Sequence, residues 1–422
     1  MYALVDCNSF FCSVEKVFHP GLKYKPVCVL SSNDGCIVAL TPEAKALGIH
    51  RGEPIFKVRD IVKQHNVVIF STNMYLYAAM SKRVTNILRK SFNYVENYSI
   101  DESFCCLDVY EKYYDLGDFM RKIAEKIRLY TDIPVSIGVA PTKTLAKMGS
   151  KFAKNYKGYR SVCLIDNEEK RRKALSIFDL GDVWGIGRNT LAKLNSLGVD
   201  NPLQLADKSE SWVKHYFTAP MYHTWLELNG KPCIDTTEML QNKSVTTSRS
   251  FGEMITTIDL LKASVATFAS SCANKLRAQH SVAGKVTVYL LSNRFRNDLD
   301  QYSNAATKPL LVKTSDSIEI TQAAIDALTD IFKPGIYYKK AGVILTDVTD
   351  ASGIDLDLFD PIKNRQERYN LMTTIDSLNH RFGIKTVQLG VEDTQGESWL
   401  PKCEHRSGNY LTDMDEILTI KI

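Results

Sequence analysis

The chain has 422 residues, with 53 Lys and Arg against 48 Asp and Glu for a net charge of +5, and 44% of it is hydrophobic. That composition excludes a mainly disordered chain and leaves room for about three domains, and no apolar run reaches the ~18 residues of a membrane span. Ten cysteines with no CxxC pair, and an N-terminus that reaches Asp6 without a basic leader, speak against a disulfide scaffold, a zinc ribbon and a secretory signal, so a cytoplasmic location is expected.

The first 165 residues alternate between strand and helix patterns. Apolar, β-branched runs predict strands at 2–5, 27–30, 67–70, 98–100, 104–107 and 134–139. Helical spacing of apolar residues covers 76–90 and 119–130. This predicts an α/β or α+β layer architecture with a sheet at its centre. A charged run at 167–173 opens a mostly helical stretch. Within it, Gly185-Ile186-Gly187 between two short helices resembles a helix-hairpin-helix, whose turn offers backbone N–H groups to a DNA phosphate. A plain helical hairpin fits the same residues. From 243 to 348 the pattern changes to strands at 285–291 and 338–346 with helices at 260–278 and 321–332, a second α+β unit. Residues from 350 onward are more polar and less regular.

Three acids carry the first chemical signal. Asp6 ends the first strand, and Asp101 and Glu102 lie in a turn between two others. A single turn carboxylate is ordinarily just solvated. A sheet that pairs these strands, however, gathers three negative charges at one end, and like charges so close need cations between them. Two Mg²⁺ ions about 3.5–4 Å apart would meet that need and clamp both oxygens of an in-line phosphoryl displacement. Hard oxygen donors suit Mg²⁺ better than zinc.

A basic stripe is the second signal. Lys143, Lys147, Lys151 and Lys154 fall within about 80° on one helix face, and no acid lies between Lys143 and Arg160. A solvated helix usually mixes signs, so the stripe reads as a surface for a triphosphate or a nucleic-acid backbone. Phe10 and Phe11 follow Asp6 closely; Phe10 reads as a core residue and Phe11 as one that could line the same cavity.

Three segments now carry a resemblance. Val5-Asp6-Cys7-Asn8-Ser9-Phe10-Phe11 resembles the opening motif of the Y-family DNA polymerases, Tyr98-Ser99-Ile100-Asp101-Glu102-Ser103-Phe104 their second carboxylate motif, and Gly138-Val139-Ala140-Pro141-Thr142-Lys143 their third block. Ser31-Ser32-Asn33-Asp34-Gly35-Cys36, Ser248-Arg249-Ser250-Phe251-Gly252-Glu253 and the tail are most similar to the UmuC subgroup, the catalytic subunits of bacterial polymerase V.

The resemblance implies an α+β, multidomain right-hand polymerase: palm at 1–18 and 76–165, fingers at 19–75, a thumb with the helix-hairpin-helix at 166–235, a little finger at 243–350, and a C-terminal extension at 351–422. It implies error-prone translesion synthesis in the SOS response, by nucleotidyl transfer from a dNTP to a primer 3′-OH. Asp6, Asp101, Glu102 and the Cys7 carbonyl would hold two Mg²⁺ ions. Phe11 matches the steric gate against the ribose 2′-OH, within a nucleotide-binding set of Phe10, Phe11, Cys36, Val38, Lys45 and Lys154. Pro42 and Ala39 stand where relatives carry hydroxyl donors. Gly185, Gly187, Arg249, Arg294 and Arg296 would contact primer-template DNA. Leu356, Leu358 and Phe359 resemble a sliding-clamp-binding peptide. In the subgroup the tail region is linked to a UmuD-type dimer and the RecA filament, and Trp399 and Tyr410 are candidate interface anchors. The residues by themselves leave two alternatives open: another two-metal phosphoryl-transfer enzyme, or a clamp-docked DNA-binding subunit with little activity of its own.

Overall fold

The computed structural model describes residues 1–235, 242–353, 360, 362–383, 386–392 and 399–418. In chain order it begins β1 (Tyr2–Cys7), α1 (Phe10–Phe18), β2 (Val27–Leu30), β3 (Ile37–Leu40), α2 (Pro42–Ala46), α3 (Arg59–Gln64), β4 (Val68–Ser71), α4 (Met74–Arg89), β5 (Val95–Asn97), β6 (Glu102–Cys106), α5 (Leu116–Thr131), β7 (Val135–Ala140), α6 (Lys143–Asn155) and β8 (Val162–Leu164). Five helices follow: α7 (Glu168–Ile177), α8 (Arg188–Ser196), α9 (Pro202–Ala206), α10 (Glu210–Tyr216) and α11 (Ala219–Leu228). The remainder is β9 (Val245–Ile255), α12 (Ile258–Ala278), β10 (Ser281–Ser292), β11 (Ser303–Thr314), α13 (Ser317–Ile331), β12 (Tyr338–Asp350) and α14 (Arg365–Phe382).

These elements form two compact units, one of Met1–Glu238 with Cys403–Ile422 and one of Met239–Lys402. The expected single extension at 351–422 is therefore divided, its last residues belonging to the N-terminal unit. The stretch read as irregular also contains the 18-residue α14. Its mostly polar exposed face hides the apolar period in the sequence; Met372 is its one buried residue. Among the described residues no helix is long and apolar enough to cross a membrane, and no cysteine is paired with another in a disulfide.

The first unit is built on a five-stranded sheet of order β5-β6-β1-β7-β8. β1 runs antiparallel to both β6 and β7, and β7 runs parallel to β8. Side chains alternate across the sheet. Ala3, Val5 and Cys7 share one apolar core with Leu76 and Met80 of α4 and Ile123 and Ile127 of α5. Leu4 and Phe104 face the other way, into a core with Leu145 and Met148 of α6 and Leu194 of α8. A three-stranded sheet, β3-β2-β4, carries α2 and α3 around its own small core. Strands β3 and β8, of four and three residues, were not read from the sequence.

The second unit is an antiparallel sheet of order β11-β10-β12-β9 with α12 and α13 packed on one face. Trp399 is 2% exposed within this core and stands edge-on to Phe268 at 5.8 Å. It is spent inside the protein, which corrects its reading as an interface anchor.

The lysine helix α6 reaches the sheet through two glycines. A methyl on Gly138 of β7 would lie 2.7 Å from the Gly149 carbonyl carbon, and nearer still to Ala146 O and Ser150 N of α6. Gly138→Ala is expected to destabilise the chain by about 3 kcal/mol, because backbone and not a flexible side chain would have to give way. A urea midpoint unchanged from wild type would contradict this contact.

Candidate active site

The pairing of β1 with β6 places Asp6 directly opposite Glu102. Both project to the face covered by α6, the face of Leu4 and Phe104. Asp101 lies one residue earlier, in the turn after β5. That turn spans 98–101, where a strand was expected at 98–100; the strand lies earlier, at Val95–Asn97, and Glu102 opens the next one. The Cys7 amide donates to Asp101 O at 2.9 Å, which ties the turn to the end of β1. Ser99 Oγ donates to Asp101 Oδ1 at 2.5 Å and accepts from the Glu102 amide at 3.0 Å. No sequence pattern flagged Ser99; its role arises from the turn.

The four lysines of α6 meet acids supplied by other elements. Lys143 pairs with Glu96 at 2.7 Å, Lys147 with Glu102 at 2.7 Å, and Lys154 with Asp6 at 3.0 Å. Lys151 pairs with Asp182. The stripe is thus not the bare cationic surface that the local sequence suggested. Its counter-charges lie far away in the chain. Lys143 and Glu96 are both buried, with side chains 5% and 9% exposed, and Lys143 also lies over the Tyr2 and Phe104 rings. Lys147 sits over the Tyr98 and Trp184 rings, and Trp184 Nε1 donates to the Tyr98 hydroxyl at 3.1 Å. Asp6, Glu102, Lys147, Lys151, Lys154 and Trp184 line a cleft of about 360 Å³.

The Asp6 carboxyl is pushed above the ordinary range, first by burial, against the lowering pull of Lys154; the Glu102 and Asp101 charges add to the rise. That is the repulsion expected of acids gathered at one sheet end. Among the described residues no group of three His, Cys, Asp or Glu is drawn together closely enough to hold a metal as the side chains stand. Here ammonium groups supply the positive charge. The donor set itself fits a hard divalent cation: carboxylate oxygens from two paired strands, with only the backbone carbonyl available from Cys7, whose thiol is buried in the core.

The turn after β1 aims α1. Ser9 is left-handed, at φ 45°, a strained state for a residue with a Cβ. Asn8 is held from both sides: its amide donates to Pro134 O at 2.9 Å, and its Oδ1 accepts from Ser136 Oγ at 2.9 Å. Phe10 then points into the core, 3% exposed. Its side chain is spent in the core, as its reading as a core residue expected. Phe11 is half-buried and stacks on Tyr77 at 4.5 Å with rings 18° apart. Tyr77 was missed, since nothing local marks it.

Three stretches of the chain match known family models. Residues 5–151 match the impB/mucB/samB family, 242–358 its C-terminal domain, and 369–420 a domain of unknown function, DUF4113. Protein UmuC of Salmonella typhimurium is 37% identical over 423 residues, spanning 100% of both chains. The chain belongs to the impB/mucB/samB family of UmuC-like Y-family DNA polymerases. A DNA polymerase IV of Acetivibrio thermocellus is 26% identical over 407 residues, 92% of this chain and 96% of that one. The Y-family DNA polymerase chimera Dbh-Dpo4(243-245)-Dbh shares the fold, with TM-score 0.64 and 23% identity over 83% of this chain and 99% of that one.

The other sites that the Y-family resemblance suggested are spread over both units. Cys36 bridges to Pro54, Val38 lies half-buried in β3, and Lys45 is exposed in α2. Pro42 is the first residue of α2, capped by Thr41 Oγ1 accepting from the Ala44 amide at 3.3 Å. Proline fits that position because the amide it lacks would have no partner within the helix. Gly185 has φ 95°, and Gly187 caps α8 with open space beside it. The helix expected before the Gly-x-Gly is a single 3-10 turn, Leu180–Asp182. Arg249 is exposed on β9, Arg294 lies over Phe295, and Arg296 holds Asp298 through two bonds, which reduces its freedom to meet DNA. Leu356, Leu358 and Phe359 lie outside the described residues.

The four lysines should separate in a stability experiment. Lys143→Ala leaves Glu96 buried without this cation and is expected to cost about 3 kcal/mol. Lys154→Ala, at a half-open pair, should cost less than ~1 kcal/mol. Equal losses in urea denaturation would show that the stripe has one role rather than two.

Proposed function

We propose that this family member is an error-prone, template-directed DNA polymerase of translesion synthesis, which joins a dNTP to a primer 3′-OH by two-metal nucleotidyl transfer. The observation that carries the reading is the register of β1 and β6, with Asp6 opposite Glu102, Asp101 in the adjoining turn, and α6 set across them. Asp6, Asp101, Glu102 and the Cys7 carbonyl would hold two Mg²⁺ ions, which supply a lowered pKa at the primer hydroxyl and neutralise the triphosphate.

The chain's own groups do the rest. Lys154, 3.0 Å from Asp6, holds a positive charge where a triphosphate would lie. Exposed Lys45 adds a second charge from α2. Phe11, five residues after Asp6 and stacked on Tyr77, gives a rigid aromatic surface that would clash with a ribose 2′-OH. In this reading the five-stranded sheet is the palm, the three-stranded sheet the fingers, α7 to α11 the thumb, and the second unit the little finger. Gly185, Gly187, Arg249 and Arg294 then meet the primer-template, largely through phosphates, which suits a protein that must accept every sequence. A sliding clamp, a UmuD-type dimer and a RecA filament are the proposed partners, and the SOS response the proposed setting.

Primer extension past an abasic site, with the partners present and absent, tests the reading. Wild type is expected to lengthen the primer with Mg²⁺, and Asp101→Asn to lose at least about a hundredfold in rate. Shortening of the primer would point to a nuclease, and no extension under any condition would reject the assignment. Separately, Phe11→Ala is expected to raise ribonucleotide insertion by tenfold or more on the scale of one lost steric contact, ~1.4 kcal/mol or greater. A ribo/deoxyribo ratio equal to wild type would remove Phe11 from that role.

A further inference from the structure

The C-terminal segment is assigned to the same compact unit as the carboxylates, although the whole second unit separates them in the chain. It docks by specific bonds. The Ser71 amide donates to His405 O at 3.0 Å, and the His405 amide donates to Ser71 Oγ at 2.9 Å, so that Arg406 bridges alongside the end of β4. Asn73, 1% exposed, uses its two ends differently. Its Oδ1 accepts from the Leu76 amide to cap α4, and its Nδ2 donates to the Ser407 and Gly408 carbonyls at 2.8 and 3.2 Å. Tyr410 then packs on Phe18 at 5.1 Å.

These bonds deliver one hydroxyl to a buried acid. Glu15 of α1 is 0% exposed. Its Oε1 accepts from Ser407 Oγ at 2.9 Å and from the Tyr77 hydroxyl at 2.7 Å, while Oε2 has no hydrogen-bond partner. A buried carboxylate is costly unless it is hydrogen-bonded, so the two donors largely fix where it sits. Glu15 follows Phe11 by four residues, on the same face of α1. Tyr77 is fully buried and presents its ring to Phe11. A continuous path thus runs from Ser407 through the Glu15 carboxylate and the Tyr77 phenol to the Phe11 ring. Rejecting one hydroxyl on a sugar depends on ring position at the sub-ångström scale, where a 1 Å error can cost ~100-fold.

We propose that the C-terminal segment belongs to the nucleotide-selecting apparatus, with Ser407 a positioning residue that acts through Glu15 and Tyr77 on Phe11. This rests on the reading of Phe11 as the steric gate. The domain of unknown function that ends the chain thereby gains a role in sugar discrimination. Ser407→Thr keeps the hydroxyl, and Ser407→Ala removes it while leaving the backbone bonds of the segment.

The test is single-nucleotide insertion of matched ribo- and deoxyribonucleotides by the full-length chain with its partners. Ser407→Ala is expected to raise the ribo/deoxyribo ratio of kcat/KM by roughly threefold to tenfold, the scale of one ordinary net hydrogen bond. Ser407→Thr should restore the wild-type ratio. Tyr77→Phe, which keeps the stacked ring, should shift the ratio in the same direction as Ser407→Ala. In a Phe11→Ala background Ser407→Ala should add nothing, since the path ends at Phe11. If Phe11→Ala raises the ratio and neither Ser407→Ala nor Tyr77→Phe does, the path is overturned while the gate stands. If Phe11→Ala itself leaves the ratio unchanged, the gate and the path fall together. Equal loss of both nucleotides in Ser407→Ala, with the ratio unchanged, would mean that the segment only supports the fold and would overturn the proposal.

Discussion

Acids gathered at one end of a sheet repel one another, and the first unit is organised around offsetting that repulsion. The β1–β6 register makes the crowding unavoidable, because it sets Asp6 opposite Glu102 with Asp101 one residue away. α6 answers it with a row of ammonium groups, two of which reach those acids directly. The helix can lie that close because Gly138 and Gly149 let backbone meet backbone. Position on the sheet, charge on the helix and two missing side chains are one arrangement.

The row also shows how one helix face can divide its work. Lys143 is buried with Glu96 beneath two aromatic rings, so its charge holds structure together. Lys154 is more open and lies against Asp6, where the same charge is available to an incoming anion. Solvent decides the difference. A buried pair loses much when one partner is removed, whereas an exposed pair is screened and loses little.

The other end of the site is shaped by packing. The Ser9 turn sends Phe10 into the core and leaves Phe11 half-buried, backed by Tyr77. Tyr77 is in turn tied to a buried glutamate that the C-terminal segment helps to satisfy. Residues from the first helix and from the last described stretch of chain therefore share one hydrogen-bond system.

The sequence by itself determined what depends on near neighbours. The strand that opens the chain, the helix α4, the acids near strand ends and the lysine spacing were legible, because periods of 2 and 3.6 act over a few residues. Only the tertiary structure decided who answers whom. Lys143 looked unopposed until Glu96 arrived from 47 residues away, Lys154 until Asp6 arrived from 148, and Glu15 meets Ser407 across 392. Trp399 read as a surface anchor and became core for the same reason. Charge and apolar surface are visible in a sequence, but their partners are set by which strands pair and which helices cover them, and no local pattern records that.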